Sequence, residues 1–308
     1  MMHLQTRPAT HARKKFHGYT PEERKIMRTA DIREDVVQKQ LIELWRNFNE
    51  RAGRLDPSYI EIYDIANLAR NLVKEEYSSE DLEKFVVVLT QFQDERKFPI
   101  KAGALLSALI NAGKDQDYVI KVDHFDEPIS ALGFKNRKNL RIIGNLYRSI
   151  GVEMKGGSIT VEGDVRYTVG SKMEGGTIIV NGNVGWEVGQ QMKDGKIIIK
   201  GDVDEEVGLG MEGGKLVIEG NVRYDAGQYM KGGKLYIKKS AGHKLGLGMQ
   251  GGQIIVDGDA EHKIGGDDYS VEPGMSGGEI HVNGNIGRIS NRIIGGRIYH
   301  KGKLIVDK

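Results

Sequence analysis

The 308-residue sequence contains no cysteine, only 6 prolines, and aromatic residues at 7% of its positions. The absence of cysteine excludes disulfides, thiolate zinc sites, cysteine nucleophiles and cysteine-ligated iron–sulfur clusters within this chain. No apolar run approaches the roughly 20 residues that a membrane-spanning helix requires. The N-terminus is basic and polar and lacks the apolar segment of a signal peptide. We therefore expect a cytoplasmic protein without a membrane partner.

Positive charge is concentrated at the N-terminus, although the net charge of the whole chain is only +2. The first 30 residues contain seven lysines and arginines against two glutamates. They include Pro8 and Gly18 and show no sustained helical or strand periodicity. Residues 1–30 are therefore predicted to form a basic flexible arm that builds no core.

The arm is the first candidate binding segment. It combines dense positive charge with aromatic side chains, and flexible segments of this kind can follow phosphates, release counterions and order on binding. We predict that it binds RNA or a ribonucleoprotein particle such as the ribosome, through Arg7, Arg13, Lys14, Lys15, Phe16, His17, Tyr19, Arg24, Lys25 and Arg28. The alternative is a solvated tail without a partner. Acidic lipid is disfavoured because the arm contains no amphipathic helix.

Residues 31–116 show helical periodicity and are predicted to form a small helical domain of four short helices. Capping residues mark the ends of these helices. The predicted boundaries are Asp31 to Gly53 for the first helix, Asp56 and Pro57 at the start of the second, the capping box Ser78 to Asp81 at the start of the third, and Pro99 to Gly113 for the fourth.

From about residue 117 the pattern changes to strands, and a repeat follows. Methionines recur at one constant spacing, at Met154, Met173, Met192, Met211, Met230 and Met249. The next methionine, Met275, follows after a longer interval. Each unit reads Met-x-Gly-Gly-x-Φ-x-Φ-x-Gly-Asp/Asn-Val, where Φ is apolar. A constant period of this kind indicates stacked structural units.

The strand of each unit alternates with period two, so one pair of apolar residues per unit is predicted to point inward. Those pairs are Ile159/Val161, Ile178/Val180, Ile197/Ile199, Leu216/Ile218, Leu235/Ile237, Ile254/Val256 and Ile280/Val282. The central Gly and the Asp or Asn after it are predicted to form corners with positive φ. The fold class is then α+β: a small N-terminal helical domain, followed over residues 117–308 by a single-stranded right-handed parallel β-helix of about eight 19-residue coils.

The repeated motif resembles that of a known domain. From Met154 to Gly302 it is similar to the Gly-x-Gly-x-Gly β-helix domain of the glutamate synthase large subunit and of a structural subunit of formylmethanofuran dehydrogenase. The resemblance covers a little over half of the chain and implies a rigid spacer without catalytic residues. The helical segment and the arm do not resemble an amidotransferase or an FMN barrel. The resemblance alone therefore implies a structural subunit of a multi-subunit oxidoreductase.

Three apparent sites have structural interpretations. Gly208–Gly213 and Gly246–Gly251 match GxGxxG, but a strand rather than a helix is predicted to follow, so a dinucleotide site is disfavoured. His243 and His262 share one phase and are predicted to stack about 5 Å apart as a solvated pair rather than a metal site. The acidic insertion 266–274 lacks the ligand spacing of a calcium loop and is interpreted as a corner excursion. We predict no catalytic residue, metal, cofactor or small-molecule substrate.

An outward residue lies between the two inward residues of each strand, and this series is unusually apolar. An apolar series of this length requires cover. We predict that it is an interface, formed by Ile179, Ile198, Val217, Tyr236, Ile255 and Tyr299, with Thr160 and His281 in the same series. The cover is either the helical domain or a second copy of the chain, and a symmetric homodimer is favoured because twofold pairing of a flat surface is easy.

A second outward series lies four positions after the central Gly and reads Tyr167, Trp186, Glu205, Tyr224, His243 and His262, with Arg166 and Arg223 beside it. Spaced aromatics with arginine could stack bases, but Glu205 in the middle favours a protein contact. The leading hypothesis is a non-catalytic scaffold whose dimer presents two helical domains and two basic arms to a ribonucleoprotein. The competing hypothesis is the oxidoreductase subunit.

Overall fold

The computed structural model describes residues 36–53, 62–72, 76–269 and 271–308. Its helices are α1 (Val36–Gly53), α2 (Ile62–Leu72), α3 (Ser79–Val88), continued by a 3-10 turn (Leu89–Phe92), and α4 (Phe98–Ala112). Strands follow to the C-terminus. The predicted fold class is confirmed, because a short helical region precedes a parallel β-solenoid of about ten coils.

Two of the predicted helix boundaries are confirmed by their capping contacts. The Ser78 hydroxyl accepts the backbone N–H of Asp81 at 3.2 Å, and the Asp81 carboxylate accepts that of Ser78 at 2.9 Å, which is a complete capping box. Helix α4 has Pro99 in its first turn and ends before Gly113. The predicted start at Asp31 and the Asp56 cap lie outside the described residues.

The solenoid has two sheets, and from β2 to β18 successive strands alternate between them. The first sheet contains β1 (Asp117–Lys121), β2 (Asn139–Ile143), β4 (Ser158–Glu162), β6 (Thr177–Val180), β8 (Lys196–Ile199), β10 (Lys215–Ile218), β12 (Lys234–Ile237), β14 (Gln253–Val256), β16 (Ser276–Val282), β18 (Gly295–His300) and β19 (Lys303–Asp307). The second contains β3 (Leu146–Ile150), β5 (Val165–Val169), β7 (Val184–Val188), β9 (Val203–Val207), β11 (Val222–Tyr224), β13 (Ala241–His243), β15 (Ala260–Ile264) and β17 (Ile286–Ile289).

Neighbouring strands pair in parallel, except that β19 returns antiparallel to β18. The expectation of eight coils was too low. The first sheet has ten parallel strands, because β1 precedes the methionine repeat and β18 follows its last member, Met275.

The interior confirms the predicted inward residues. Every inward pair of the repeat is completely buried, as is every methionine from Met154 to Met275. The motif Met-x-Gly-Gly has a packing reason. A Cβ added to Gly214 would lie 2.7 Å from Cε of Met192, so the second glycine of each coil makes room for the methionine of the coil before it. Burying one such side chain contributes roughly 1.5–3 kcal/mol.

The corner between the two sheets differs from the prediction. Neither Gly201 nor Asp202 has a positive φ. A Cβ on Gly201 would lie 2.6 Å from the Gly182 carbonyl oxygen, so glycine is required there by the close approach of the neighbouring coil. The Asn183 Oδ1 accepts the Asp202 backbone N–H at 2.9 Å, and the Asp202 Oδ1 accepts that of Asn221 at 2.7 Å. These residues therefore link one coil to the next.

The helices cover the N-terminal end of the solenoid. The Ser107 hydroxyl of α4 donates to the Ala131 carbonyl at 2.9 Å and accepts the Gly133 N–H at 2.8 Å, and α3 packs on β1. Helices and coils share one continuous hydrophobic core. This cap buries apolar surface that the first coil would otherwise expose. None of the described helices combines the length and apolar character needed to cross a membrane.

Candidate functional site

The predicted interface residues lie in one column on the outer face of the first sheet. The apolar ladder, as we call it, consists of Thr160, Ile179, Ile198, Val217, Tyr236, Ile255, His281 and Tyr299, each paired in register with the next. All eight side chains are partly exposed, in contrast to the fully buried inward pairs beside them. Their placement is as expected, and their role as an interface stays a prediction.

Charged side chains border the apolar ladder. Lys196, Lys215 and Lys234 are exposed along one side, at the first position of β8, β10 and β12. At the C-terminal end of the ladder, the rings of His281 and Tyr299 stack with centroids 4.4 Å apart. Such a surface, apolar along its centre and charged at its rim, has the composition of a protein interface.

The helices do not lie on the apolar ladder. Among the described elements, the helix that packs extensively on a strand is α3, and the strand is β1, at the end of the first sheet. The ladder runs from β4 to β18, beyond this contact. Of the two covers that the sequence left open, the helical domain is therefore the less suitable one.

The second outward series forms a column on the outer face of the second sheet. We call Tyr167, Trp186, Glu205, Tyr224, His243 and His262 the aromatic column, and these residues pair in register as predicted. The Tyr167 and Trp186 rings meet edge to face at 5.1 Å. The Arg166 guanidinium lies 5.3 Å from the Tyr167 ring centroid, and that of Arg223 lies 5.2 Å from Tyr224. These arginines are therefore held by cation–π contacts within the column.

A long groove runs beside the aromatic column. Its first part, of about 990 Å³, lies between the N-terminal end of α4, at Lys97 and Pro99, and the coils carrying Arg148 and Arg166. A second part of about 380 Å³ continues along the same corner, and the two share Asp202 and Asp204. The groove walls carry both signs of charge, so the groove suits a polar, extended partner rather than a uniform polyanion.

The histidine pair has the predicted stacking. The rings of His243 and His262 lie with centroids 5.4 Å apart, and His243 Nε2 is 3.8 Å from a carboxylate oxygen of Glu261. Within the described ranges no group of three or more histidine or carboxylate side chains is arranged to hold a metal ion. The pair therefore has the geometry of a surface stack.

The insertion 266–274 projects from a corner between β15 and β16. The Met275 N–H donates to the Gly265 carbonyl at 2.6 Å and closes the excursion at its base. Asp267 lies 2.9 Å from the Lys263 ammonium, and Asp268 lies 2.8 Å from the Arg288 guanidinium. These two aspartates are thus paired with protein cations, which agrees with the corner excursion predicted for the insertion.

A further column on the second sheet was missed by sequence reasoning. The left-handed column, Ser149, Thr168, Glu187, Glu206, Asp225, Lys244 and Lys263, has φ between 54° and 64° at every position. Burial raises the pKa of Glu206, and the nearby carboxylates of Glu187 and Asp225 raise it further. Burial also raises the pKa of Asp225, against the opposing effect of Lys244, whose ammonium is 3.8 Å away. The recurrence of Glu, Glu and Asp at the period of the repeat was the available signal.

All ten predicted RNA-binding residues, Arg7 to Arg28, belong to residues 1–35 and lie outside the described part of the chain. Their role in binding RNA stays a prediction. The described surfaces are the apolar ladder, the aromatic column with its groove, and the left-handed column.

No protein-family model and no curated protein sequence matches this chain. A solved structure is similar to it: a chain of the formyltransferase/hydrolase complex (FhcABCD) from Methylorubrum extorquens, determined in complex with methylofuran. The identity is 29%, the TM-score is 0.43, and the match covers 50% of this chain. It covers 58% of the other chain, so this protein spans a little over half of that chain's length.

Proposed function

We propose that this protein is a non-catalytic scaffold that holds macromolecules together through the outer faces of its solenoid. The observation that supports this most directly is the apolar ladder. It is continuous over eight paired strands, it is partly exposed, and no coil needs it for its own core. A chain that keeps an apolar series of this length on its surface is best explained by a partner that covers it.

The partner that fits the ladder best is a second copy of the chain. The ladder follows a single sheet over eight strands, and twofold pairing presents the same residues from both sides. The lysines at the rim would then lie at the border of the interface, where they remain hydrated. Such a dimer would present one helical cap and one basic arm from each copy.

Sedimentation velocity of the full chain tests this dimer. We expect a dimer at micromolar concentration, and we expect Val217→Asp to convert it to a monomer because a carboxylate would be buried at the centre of the interface. Gln250→Asp, an exposed position outside the ladder, is the control with the same charge change and should leave the dimer intact. A wild-type monomer, or a dimer that persists in Val217→Asp, would exclude this interface.

The two arms are proposed to bind RNA or a ribonucleoprotein. The support is the composition of residues 1–30, with seven cationic and two anionic side chains. Binding through phosphates should weaken strongly between about 50 and about 200 mM salt. Deletion of residues 1–30 should abolish binding to ribosomal particles while the dimer persists. Binding that is insensitive to both changes would contradict an RNA-binding arm.

A structural subunit of a multi-subunit enzyme is the second candidate. The observation that favours it is the groove beside the aromatic column, which offers a second face for a protein partner in addition to the apolar ladder. The repeat motif from Met154 to Gly302 also resembles that of spacer domains in such enzymes. Gentle purification from the native cell separates the two candidates. Ribosomal proteins and ribosomal RNA should co-purify in the first case, and catalytic subunits in the second.

A further inference from the structure

A cavity of about 440 Å³ lies where the helical cap meets the first coils. Helices α2 and α4 form one wall, whose apolar part consists of Ala66, Ala104 and Ala108. The other wall consists of Phe134, Lys135, Arg137 and Lys155. The volume falls within the range of about 300–1,000 Å³ that small-molecule sites occupy.

The charged side chains that line this cavity are all positive. Its lining contains four cations and no carboxylate among the described residues, namely Arg70, Lys135, Arg137 and Lys155. Two carboxylates outside the lining offset two of these cations. Glu153 lies 3.3 Å from the Lys135 ammonium, and Glu174 lies 2.5 Å from that of Lys155.

The two arginines have no such compensation in the part of the chain that the structure describes. The Arg70 guanidinium donates to the neutral amide oxygen of Asn67 at 2.6 Å. Arg137 is exposed and makes no ion pair within the described residues. The cavity therefore has an excess of two positive charges.

The stacking of the coils shows why this excess is unusual. Along one corner the charge column reads Arg137, Lys155, Glu174, Lys193, Glu212 and Lys231, one residue per coil. The backbone hydrogen bonds establish the order. Glu174 N–H donates to the Met154 carbonyl at 2.9 Å, and Lys155 N–H donates to that of Asn136 at 2.9 Å. Asn136 thus occupies the methionine position of the first coil, and Arg137 stands beside Lys155.

From Lys155 onward the column alternates in sign, and neighbours form ion pairs, such as Lys193 with Glu174 at 3.6 Å. At the cap end the alternation fails, because two cations occupy adjacent coils, which stack about 4.8 Å apart. Like charges at this separation repel each other. An anion is what the pattern lacks at this end of the column.

We propose that the cavity binds a small organic phosphate. Its phosphate group lies between Arg137, Lys155 and Arg70, and its apolar part lies against the alanines of α4. Arginine pairs bind phosphate through two parallel hydrogen bonds, and a phosphate monoester, with a charge of about −1.5 to −2 at neutral pH, matches the excess of two cations.

Calorimetric titration of the full chain with phenyl phosphate and with inorganic phosphate tests the proposal. We expect saturable binding of both, with phenyl phosphate binding more tightly because of its apolar ring. Arg137→Gln should weaken phenyl phosphate at least about tenfold, since a charge-assisted hydrogen bond is lost. Lys231→Gln, in the same column but distant from the cavity, is the matched control and should bind as the wild type does.

Two further variants separate charge from shape. Arg137→Glu restores the alternation from within the chain, so it should abolish binding and raise the melting temperature of the free protein. Ala112→Leu, at the exposed mouth, should weaken phenyl phosphate and leave inorganic phosphate unchanged. The proposal is wrong if neither ligand binds, if Arg137→Gln binds phenyl phosphate as tightly as the wild type, or if Lys231→Gln weakens its binding as much as Arg137→Gln does.

Discussion

The two sheets of the solenoid share one interior and have different outer faces. Inside, both are lined by fully buried aliphatic residues that stack on identical positions of the next coil. Outside, the first sheet carries the apolar ladder, whereas the second carries aromatic rings, arginines and half-buried carboxylates. Stacking therefore constrains the interior of every coil, while each outer face is free to acquire its own partner.

The two sheets also differ in backbone conformation. From β3 to β15, each coil of the second sheet has a non-glycine residue at positive φ. This conformation costs of order 1–3 kcal/mol when the side chain is not Gly. The conformation persists because the coils on both sides hold it. The first sheet has ordinary strand geometry at its outward positions and stores no such cost.

The largest effect is expected in the shared interior. Met192→Ala removes a completely buried side chain in the middle of the solenoid and leaves a cavity beneath Gly214. We expect a loss of about 2–5 kcal/mol in the free energy of unfolding, measured by urea denaturation. The volume-conserving Met192→Leu should cost less than about 1.5 kcal/mol. Equal effects of the two variants would mean that the cavity does not determine the loss.

The stacking of the coils also determines which parts of the fold could be predicted from the sequence. The interior was predictable from Met154 onward, since the constant spacing of the methionines and the alternation within each strand leave only one consistent stacking. The corner was predicted wrongly at Asp202. Asp and Asn tolerate the left-handed conformation and also accept backbone hydrogen bonds, so the sequence alone does not distinguish the two roles. Thr168 and Glu206 gave no signal of positive φ, because these residue types seldom adopt it.

The site was less predictable than the fold. The apolar ladder followed from the alternation within each strand, so its placement was correct. The phosphate cavity could not be predicted. Asn136 occupies the position of the methionine in the first coil, but it lies one residue off the repeat period, so the sequence does not show that Arg137 stacks beside Lys155. Contacts between the cap and the coils depend on how two different folds meet, which no periodicity encodes.

A smaller effect is expected at the corner that joins the two sheets. Asn183→Ala removes the acceptor of the Asp202 N–H and breaks one link of the column between coils. The position is exposed, so water replaces the lost bond in part, and we expect a loss of about 0.5–1.5 kcal/mol. Hydrogen exchange of the Asp202 amide should quicken in the variant. Unchanged exchange there would show that the side chain does not protect the corner.

The smallest expected effect on stability is at Glu206, on the outer face of the second sheet. Unlike the preceding variants, a substitution there should stabilise the protein. Because the folded-state pKa of Glu206 is raised, its ionised form disfavours folding at neutral pH. This penalty decreases as the pH falls below the raised pKa and is lost below the unfolded-state pKa. Glu206→Gln should therefore raise the melting temperature at about pH 7 by an amount worth less than about 1 kcal/mol, since the side chain is half-exposed. The difference from the wild type should close near pH 4, measured by calorimetry at about 0.5-unit steps.

The control for this variant is Glu174→Gln in the charge column. A hydrogen bond from Lys155 lowers the pKa of Glu174, so its carboxylate stabilises the fold above its unfolded pKa and loses that contribution as the pH falls. This variant should lower the melting temperature at neutral pH and match the wild type in acid. Opposite signs for two glutamates on one solenoid would show that burial beside like charges, rather than surface charge in general, distinguishes the left-handed column. The same sign for both variants would contradict that account.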